Sequence, residues 1–344
     1  MTDPDGRRAE HIDVLRRTLR GMRRATRSQL AKATGLSVMT VGKLLAVMEQ
    51  RGEVREAGQV ASGGRPSSVA SYDGDYAHFA TVCVQQRDGR SAFEWSVYNL
   101  FGERIEGETL LLDRVDVESF DVFFDKAKAQ GYRLRLAVFA LPGEAEGDRL
   151  FISDFEALMG ERFLPRIRER YRVETLFEND VNAAALGYAS EAGENGVCAG
   201  IYLPRRFPPG AGLIVGGSIL HGHGHFAGEI AYIHGVRAWM ALDYGDAERV
   251  LAMLSELLVA LACVAAPENV VLYGDFLTEE TAKALEGRVK ARLEGKFAMR
   301  IACRTDMAPD MERGAAQLGL RRMETMLREA DKGEWGDPSV NPGD

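Results

Sequence analysis

Apolar residues near the N-terminus recur every three or four positions, the spacing of one helix face. They predict a first helix whose buried face is formed by Ile12, Leu15, Leu19 and Met22. A second helix should begin at Thr26 and Gln29, a T-x-x-Q capping box whose side chains bond backbone amides at a helix start, and should end at Gly35. With a third helix, these two would form a three-helix core that needs no other domain.

The third helix has an apolar face and a polar face. Ser37 is placed to cap it, and its apolar residues recur on one side at Val41, Leu44, Leu45 and Met48. The opposite side carries Met39, Thr40 and Lys43, which can reach methyl groups, base edges and phosphates in a DNA major groove. The pattern predicts a helix-turn-helix, although a small helical hairpin with no DNA-binding role gives the same spacing.

The segment after the third helix favours DNA binding. Residues 58–68 read GQVASGGRPSS, a polar Gly-rich loop in which Arg65 stands between glycine and proline. Such a loop fits the wing of a winged helix, from which Arg65 would enter a minor groove, whereas a solvated loop is the alternative. The predicted DNA contacts are Arg27, Ser28, Ser37, Met39, Thr40, Lys43 and Arg65.

Beyond a polar turn at residues 71–75, the hydrophobic pattern changes to that of strands. It predicts a three-stranded antiparallel meander followed by a helix and a strand, at residues 77–84, 92–100, 104–112, 117–130 and 133–140. The pair Asp88-Gly89 is a hairpin signal between the first two strands. A later helix at residues 246–265 is apolar on more than one side. Either interior packing or a subunit interface would explain this pattern.

Charge is distributed unevenly along the 344-residue chain, whose net charge is −8. Residues 1–70 contain 13 Lys and Arg against 7 Asp and Glu, a balance of +6, and the remaining 30 against 44 gives −14. A basic head on an acidic body is expected for a protein that contacts phosphates only through its head. The arginines of the first helix (Arg16, Arg17, Arg20, Arg23 and Arg24) are interpreted mainly as a solvated face.

Length and composition restrict the other classes of protein. A chain of this length is expected to form two or three domains. The N-terminus lacks a signal peptide and no segment has 18 uncharged apolar residues, so we expect a cytoplasmic protein without a membrane partner. The four cysteines lie far apart without CxxC spacing, which argues against a zinc cluster or a disulfide framework.

Two motifs of the head resemble the N-terminal half of ROK-family repressors: LAKATGLSVMTV at residues 30–41 and GGRP at residues 63–66. The family includes repressors and sugar kinases. The resemblance implies an α/β protein with an N-terminal winged helix-turn-helix followed by an actin-like ATPase, sugar kinase-like fold of two lobes. The implied divisions are residues 1–73 for the head, 74–178 for the first lobe (completed by about 311–330), 179–310 for the second lobe with effector cleft and dimerisation surface, and 331–344 for a disordered tail.

Motifs in the body extend the resemblance to about residue 330. Residues 177–187, FENDVNAAALG, are similar to the family's END-x-NAAALG segment. The matching aspartate of family kinases is the general base for the sugar hydroxyl, which implies this position for Asp180, although Asp180 would also suit the start of a helix. Residues 225–230, HFAGEI, resemble a run whose glutamate binds sugar hydroxyls, here Glu229. Residues 266–274, APENVVLYG, match a further family strand.

The phosphate-binding parts of the family kinases are missing. Such parts need backbone amides and small residues that let ATP phosphates approach. The first phosphate loop is replaced by VCVQQRD at residues 82–88, the second by RRFPPG at residues 205–210, and the nucleotide-base glycine pair by YGD at residues 273–275. The prolines of the second loop remove amide donors. We therefore predict no catalysis and no cofactor.

The family's structural zinc site is also lost, because Tyr232 stands at the position of its histidine and residues 235–246 contain no cysteine. We predict no metal and an effector site formed by Asn179, Asp180, Glu229 and Tyr232. In a nearby loop His221, His223 and His225 alternate with other residues. Three imidazoles on one loop could hold a metal, or they could line the effector cleft as neutral hydrogen-bonding groups.

The sequence is thus predicted to encode a ROK-type transcriptional regulator, a repressor that binds a double-stranded DNA operator as a homodimer or dimer of dimers. A small-molecule effector, such as a sugar derivative, would bind in the degenerate kinase cleft. One alternative is a sugar kinase with a fused DNA-binding head. Another is a repressor whose body has lost sugar binding.

Overall fold

The computed structural model describes residues 4–60, 66–87, 89–152, 155–160, 162–193 and 196–332. These residues form a small head and a body with two central sheets. Within them, no single helix is long and apolar enough to cross a membrane, and only a bent pair of head helices reaches that length and composition together.

The head is a winged helix. Its elements are α1 (Pro4–Met22), β1 (Arg24–Thr26), α2 (Arg27–Thr34), α3 (Val38–Gln50), β2 (Val54–Val60) and β3 (Ser67–Tyr72). Its strands form an antiparallel sheet in the order β1-β3-β2. The predicted capping box of Thr26 and Gln29 is confirmed, as are the end of α2 at Gly35 (φ 73°) and the cap of α3 by Ser37. The wing tip, including Arg65, lies outside the described residues.

The first lobe contains the predicted meander. Its elements are β4 (His78–Arg87), β5 (Arg90–Tyr98), β6 (Arg104–Leu112), α4 (Val117–Ala129), β7 (Leu134–Leu141), β8 (Glu144–Glu146), β9 (Arg149–Ile152), α5 (Phe163–Tyr171) and β10 (Glu174–Asn179). The sheet order is β10-β7-β4-β5-β6. Strands β4, β5 and β6 pair antiparallel, and β7 and β10 add in parallel. The predicted meander, helix and strand are therefore confirmed, with small shifts at their ends.

The second lobe has its own five-stranded sheet. Its elements are α6 (Asp180–Glu191), β11 (Val197–Tyr202), β12 (Gly210–Val215), β13 (Ser218–Ile219), α7 (Ala231–His234), α8 (Val236–Met240), α9 (Ala247–Val264), β14 (Asn269–Tyr273), α10 (Glu279–Arg292) and β15 (Arg300–Arg304). The last helix, α11 (Ala308–Asp331), packs on α6 and on strands β4 and β7 of the first lobe. The sheet order is β13-β12-β11-β14-β15. Most apolar residues of α9 face the interior, and among its large aliphatic side chains only Val264 is strongly exposed, at 88%. Interior packing therefore accounts for most of its apolar surface.

Helices α6 and α11 cross at two glycines. A Cβ added at Gly187 would lie 1.9 Å from the carbonyl oxygen of Asp310, and one added at Gly314 would lie 1.9 Å from that of Ala183. Real Cβ atoms do not approach backbone this closely, so any side chain would force the helices apart. Small residues surround both glycines, in NAAALG at residues 182–187 and in RGAAQLG at residues 313–319. They let the two backbones touch.

The head does not have a separate core, contrary to the sequence interpretation. Leu15 and Leu19 of α1 belong to the same continuous apolar cluster as Phe79 of β4 and Met323 and Leu327 of α11. The reason is that α11 continues beneath the head. It runs to Asp331, the first residue of the predicted tail.

The arginines assigned to the first helix from the sequence are not simply a solvated face, and Arg23 lies just after α1, which ends at Met22. Arg16 is 3% exposed and pairs with carboxylates of the head and of α11. Arg20 pairs with Glu324 of α11. Arg23 pairs with Glu103 and lies 4.4 Å from the ring centre of Phe101. The sequence pattern showed basic residues at these positions but could not show the body surface that meets them.

Alanine substitution at the helix crossing should destabilise the protein. Gly314→Ala should lower the unfolding free energy by at least about 2 kcal/mol, because the added methyl group overpacks a backbone contact. Gly287→Ala is the matched control, since Gly287 lies within α10 and has open space around its Cβ position. That change should be neutral or stabilise by up to about 1 kcal/mol through helix propensity. Urea unfolding of both variants tests this, and equal effects would show that the crossing is not tight.

Candidate functional site

The exposed face of α3 lies beside the start of α2. Met39 is 73% exposed, Lys43 is exposed and Thr40 is partly exposed. Arg27 of α2 reaches this face, since its Nη1 is 3.5 Å from the Cβ position of Gly42. Within the described part of the chain, neither Arg27 nor Lys43 forms an ion pair. These two cations are therefore available to an external anion such as a phosphate.

The serines of this face differ in what they can do. Ser37 Oγ accepts from the backbone amide of Thr40 at 3.0 Å and lies 2.8 Å from its hydroxyl oxygen. Ser37 thus has a capping role, and its hydroxyl is already engaged. Ser28 is exposed at the start of α2. Of the predicted DNA contacts, the structure brings Arg27, Met39, Thr40 and Lys43 to one surface.

A cavity of about 110 Å³ lies where β10 ends and α6 begins. Its lining includes Asn179, Glu229 and Gly143, which lies between β7 and β8. Asn179 is the cap of α6: its Oδ1 accepts from the amides of Val181 at 2.9 Å and Asn182 at 3.2 Å, and its Nδ2 donates to the Gly143 carbonyl at 3.3 Å. The cap, the loop and the cavity wall are therefore one hydrogen-bonded unit.

A buried glutamate, which the sequence interpretation did not assign to the site, organises the cavity floor. Glu178 is 7% exposed, and its Oε1 accepts from the Asn179 amide and the Asn182 side chain, both at 2.9 Å. Its Oε2 lies 2.9 Å from His221 Nε2. This contact raises the pKa of His221, outweighing its partial burial. The signal in the sequence was the position of Glu178 at the end of a strand, directly before Asn179.

Acidic groups and imidazoles are the ionisable side chains of this cavity. Glu144, Glu178 and Glu229 face it together with His221 and His225, whose rings are 5.0 Å apart. Partial burial, with the nearby charge of Glu144, raises the pKa of Glu229. Carboxylates accept hydrogen bonds, so the arrangement suits a ligand that presents hydroxyl or amine donors.

Two of the predicted effector residues do not line the cavity. Asp180 is 4% exposed, and its Oδ1 accepts from the amide of Val181, within the first turn of α6. Tyr232 is 64% exposed on α7, with its ring 5.7 Å from that of Phe226. The structure therefore brings Asn179 and Glu229 together at the cavity, with Glu178 and His221, and leaves Asp180 and Tyr232 outside it.

The two stretches that stand in place of the kinase nucleotide motifs in the sequence contact each other through Arg205. Arg205, which follows β11, donates from Nε to Asp275 Oδ1 at 2.8 Å. Its guanidinium lies 5.3 Å from the ring centre of Phe276 and 5.9 Å from that of Tyr244. This group connects the loop at residues 205–210 to the segment after β14, the two stretches that replace the family's phosphate and base-binding motifs.

The described residues do not fit the family's structural zinc. Across them, no group of three or more His, Cys, Asp or Glu side chains is arranged to hold a metal ion. Tyr232 offers only an exposed phenol at the expected histidine position. His234, on the same short helix, is instead 3.1 Å from the Met253 carbonyl oxygen through Nε2.

Solved structures with a similar fold include both regulators and kinases. A ROK family transcriptional regulator, described as a homolog of the E. coli MLC protein, aligns with 96% of this chain and 100% of its own, at 15% identity and TM-score 0.62. A ROK family protein from Streptococcus pneumoniae in complex with sucrose covers 72% of this chain and 99% of its own (14% identity, TM-score 0.56). A ROK hexokinase from Thermus thermophilus covers 71% and 99% (18% identity, TM-score 0.56).

Sequence comparison adds no relative: no family model and no curated protein matches the chain. The structural likeness nevertheless extends over nearly the whole molecule. The predicted fold, a winged helix joined to an actin-like sugar-kinase body, is therefore confirmed.

Replacing Glu178 should change the titration of His221. The hydrogen bond raises the pKa of His221 above its ordinary value of 6.5. The contact therefore stabilises the fold below about pH 6.5, and this contribution is lost as the pH rises through the raised pKa. Glu178→Gln should lower the pKa of His221, measured by NMR titration of the imidazole. Glu229→Gln, in the same cavity, is the control and should leave it unchanged. An unaltered pKa in Glu178→Gln would contradict the assigned pair.

Proposed function

We propose that this chain, which has the fold of ROK-family proteins along almost its entire length, is a transcriptional regulator of that family. The observation that carries the proposal is the exposed, basic face of α3 and α2 on a winged-helix head. Arg27 and Lys43 form no ion pair there within the described residues, while Arg16 and Arg20 of α1, and Arg23 just after it, are held by carboxylates. Cations that remain available beside a recognition helix suit phosphate contacts that position it.

DNA recognition follows the usual geometry of a winged helix. Helix α3 enters the major groove, where Met39 and Thr40 meet base edges and methyl groups and Lys43 meets a phosphate. Arg65, in the wing, is proposed to enter the adjacent minor groove. A homodimer would present two such heads to a two-fold symmetric operator, and binding there would repress transcription.

The body is proposed to sense a small metabolite in the cavity at the start of α6. A structural neighbour was solved in complex with sucrose, and the hydroxyl donors of a polyol match the carboxylates of Glu144 and Glu229 in the cavity lining. Glu178 and Asn179 already accept hydrogen bonds from the protein, so their role is to hold the cavity wall in place. A ligand rich in hydroxyl or amine donors is therefore the proposed effector.

Several features speak against the kinase alternative, although sugar kinases share the fold. A general base must be able to reach the proton that it removes, and Asp180 is buried in the first turn of α6. Arg205 and Asp275 pair across the stretches that bind nucleotide in the kinases. Strand β4 continues to Arg87, which pairs directly with Arg90, so it has no glycine turn before the hairpin.

Removing a cation from the recognition face should weaken DNA binding. Arg27→Ala and Lys43→Ala should each reduce the salt dependence of affinity by a slope of about 1, since each change removes one phosphate contact. Fluorescence anisotropy with a duplex from the protein's own promoter region, over a range of salt, measures this. Lys283→Ala is the control, because Lys283 is an exposed lysine on the body that pairs with Glu279 at 2.7 Å. Unchanged binding in both head variants would exclude this face.

Anisotropy measurements on Arg65→Ala test the proposed minor-groove contact of the wing. This change should weaken binding most on duplexes with an A/T-rich segment beside the half-site, where the narrow minor groove attracts an arginine. Equal losses on A/T-rich and G/C-rich flanks would indicate a phosphate contact instead.

The purified protein should transfer no phosphate from ATP to a sugar. A coupled kinase assay with a panel of hexoses and amino sugars measures this, with a sugar kinase of the same fold as positive control. Turnover of any of these sugars would support the kinase alternative, and it should then be lost in Asp180→Ala.

A further inference from the structure

Buried charges from distant parts of the sequence meet where the head contacts the end of α11. Arg16 Nη1 donates to Asp331 Oδ2 at 2.7 Å, and Arg16 Nη2 donates to Glu53 Oε2 at 3.1 Å. Arg51, the residue that ends α3, donates to the other oxygen of Asp331. The side chains of Arg16, Glu53 and Asp331 are 3%, 1% and 0% exposed. We refer to Arg16, Arg51, Glu53 and Asp331 as the joint.

Stability alone is a poor explanation for the joint. Buried ion pairs lose about as much free energy in desolvation as they gain in attraction, so apolar residues would serve the core equally well. Asp331 is also the last residue of α11, where the helix dipole disfavours a negative charge. Both costs are offset only when the two arginines lie in fixed positions around the carboxylate. Such a group of charges is well suited to fix the orientation of the head relative to the body.

The joint connects the recognition helix to the body at one point. Arg51 and Glu53 flank the turn between α3 and β2, so Asp331 holds the C-terminal end of α3 directly. Through Arg16 the same carboxylate holds α1, the helix on which α3 packs. One side chain of α11 therefore fixes two helices of the head.

Away from the joint, α11 contacts α6, the helix that begins at the cavity. Helix α6, whose cap residue Asn179 lines the cavity, crosses α11 at Gly187 and Gly314 with the two backbones in contact. Because no side chain lies between the backbones at this crossing, α6 cannot shift there without moving α11. A continuous helix then joins the crossing to Asp331.

We propose that Arg16, Arg51 and Asp331 are positioning residues for DNA recognition: they set the orientation of α3 relative to the body, and α11 makes that orientation depend on α6. The proposal rests on the proposed function, because orientation matters only if α3 reads DNA. It extends that function, because it names the contact through which a ligand in the cavity would change the orientation of α3.

Distance measurement between two spin labels tests the joint without DNA or ligand. The labels are placed on the exposed native Cys263 of α9 and on an introduced cysteine, Ala33→Cys, at an exposed position of α2. Cys303→Ser removes the remaining partly exposed thiol, while Cys83 and Cys198 are buried. Doubly labelled protein is mixed with an excess of unlabelled protein, so that a dimer contains at most one labelled protomer. With the joint intact, double electron–electron resonance should then give a single narrow distance distribution between head and body.

Asp331→Asn should broaden this distribution, because an amide cannot hold two arginines by charge. Arg51→Met is a milder second variant that frees only the end of α3, so it decides the question if Asp331→Asn does not fold. Asp125→Asn is the matched control: Asp125 is a surface carboxylate that pairs with Arg170 at 3.3 Å, and the distribution should stay narrow.

A joint with a purely structural role would lower the melting temperature and leave the distances unchanged. Narrow, wild-type distributions in the folded joint variants would therefore overturn the proposal. The result does not depend on DNA binding. If the joint variants broaden the distribution but the wild-type protein binds no DNA, the proposed function is wrong. The joint would still be shown to fix the orientation of the head relative to the body.

Discussion

The contact between α6 and α11 is the constraint on which the rest of the structure depends. Two helices can touch backbone to backbone only where both lack side chains, and Gly187 and Gly314 provide that position. The contact places the start of α6 at the cavity and lets α11 continue beneath the head. The cavity and the winged-helix head are thus attached to the same pair of helices.

Hydrogen bonds and ion pairs at the start of α6 and at the end of α11 order the cavity and the head. At one end, the cap of α6 orders Asn179 and Glu178, and Glu178 in turn orders His221. At the other, Asp331 holds Arg16 and Arg51 on the head. Basic residues of the head therefore include two contrasting groups. Arg16, Arg20 and Arg51 pair with carboxylates of α11, whereas Arg27 and Lys43 form no ion pair within the described residues.

Local signals in the sequence predicted the elements well, and long-range contacts account for what they missed. The caps at Thr26 and Ser37 and the buried face of α3 are determined by neighbouring residues, so they were predictable. Arg16 was read as solvated because its partner Asp331 is more than 300 residues away. Asp180 and Tyr232 were assigned to the cavity by motif position, but the direction of a side chain depends on its helix. Asp180 is turned into the first turn of α6, and Tyr232 lies on an exposed face of α7.

The proposed function requires the head of this protein to read a specific DNA sequence. Selection of bound duplexes from a random library by the full-length protein, followed by sequencing, tests this. We expect enrichment of one motif composed of two half-sites related by two-fold symmetry, because a symmetric dimer presents two recognition helices. Recovery of no enriched motif at salt concentrations where duplex DNA is still bound would contradict the proposed function.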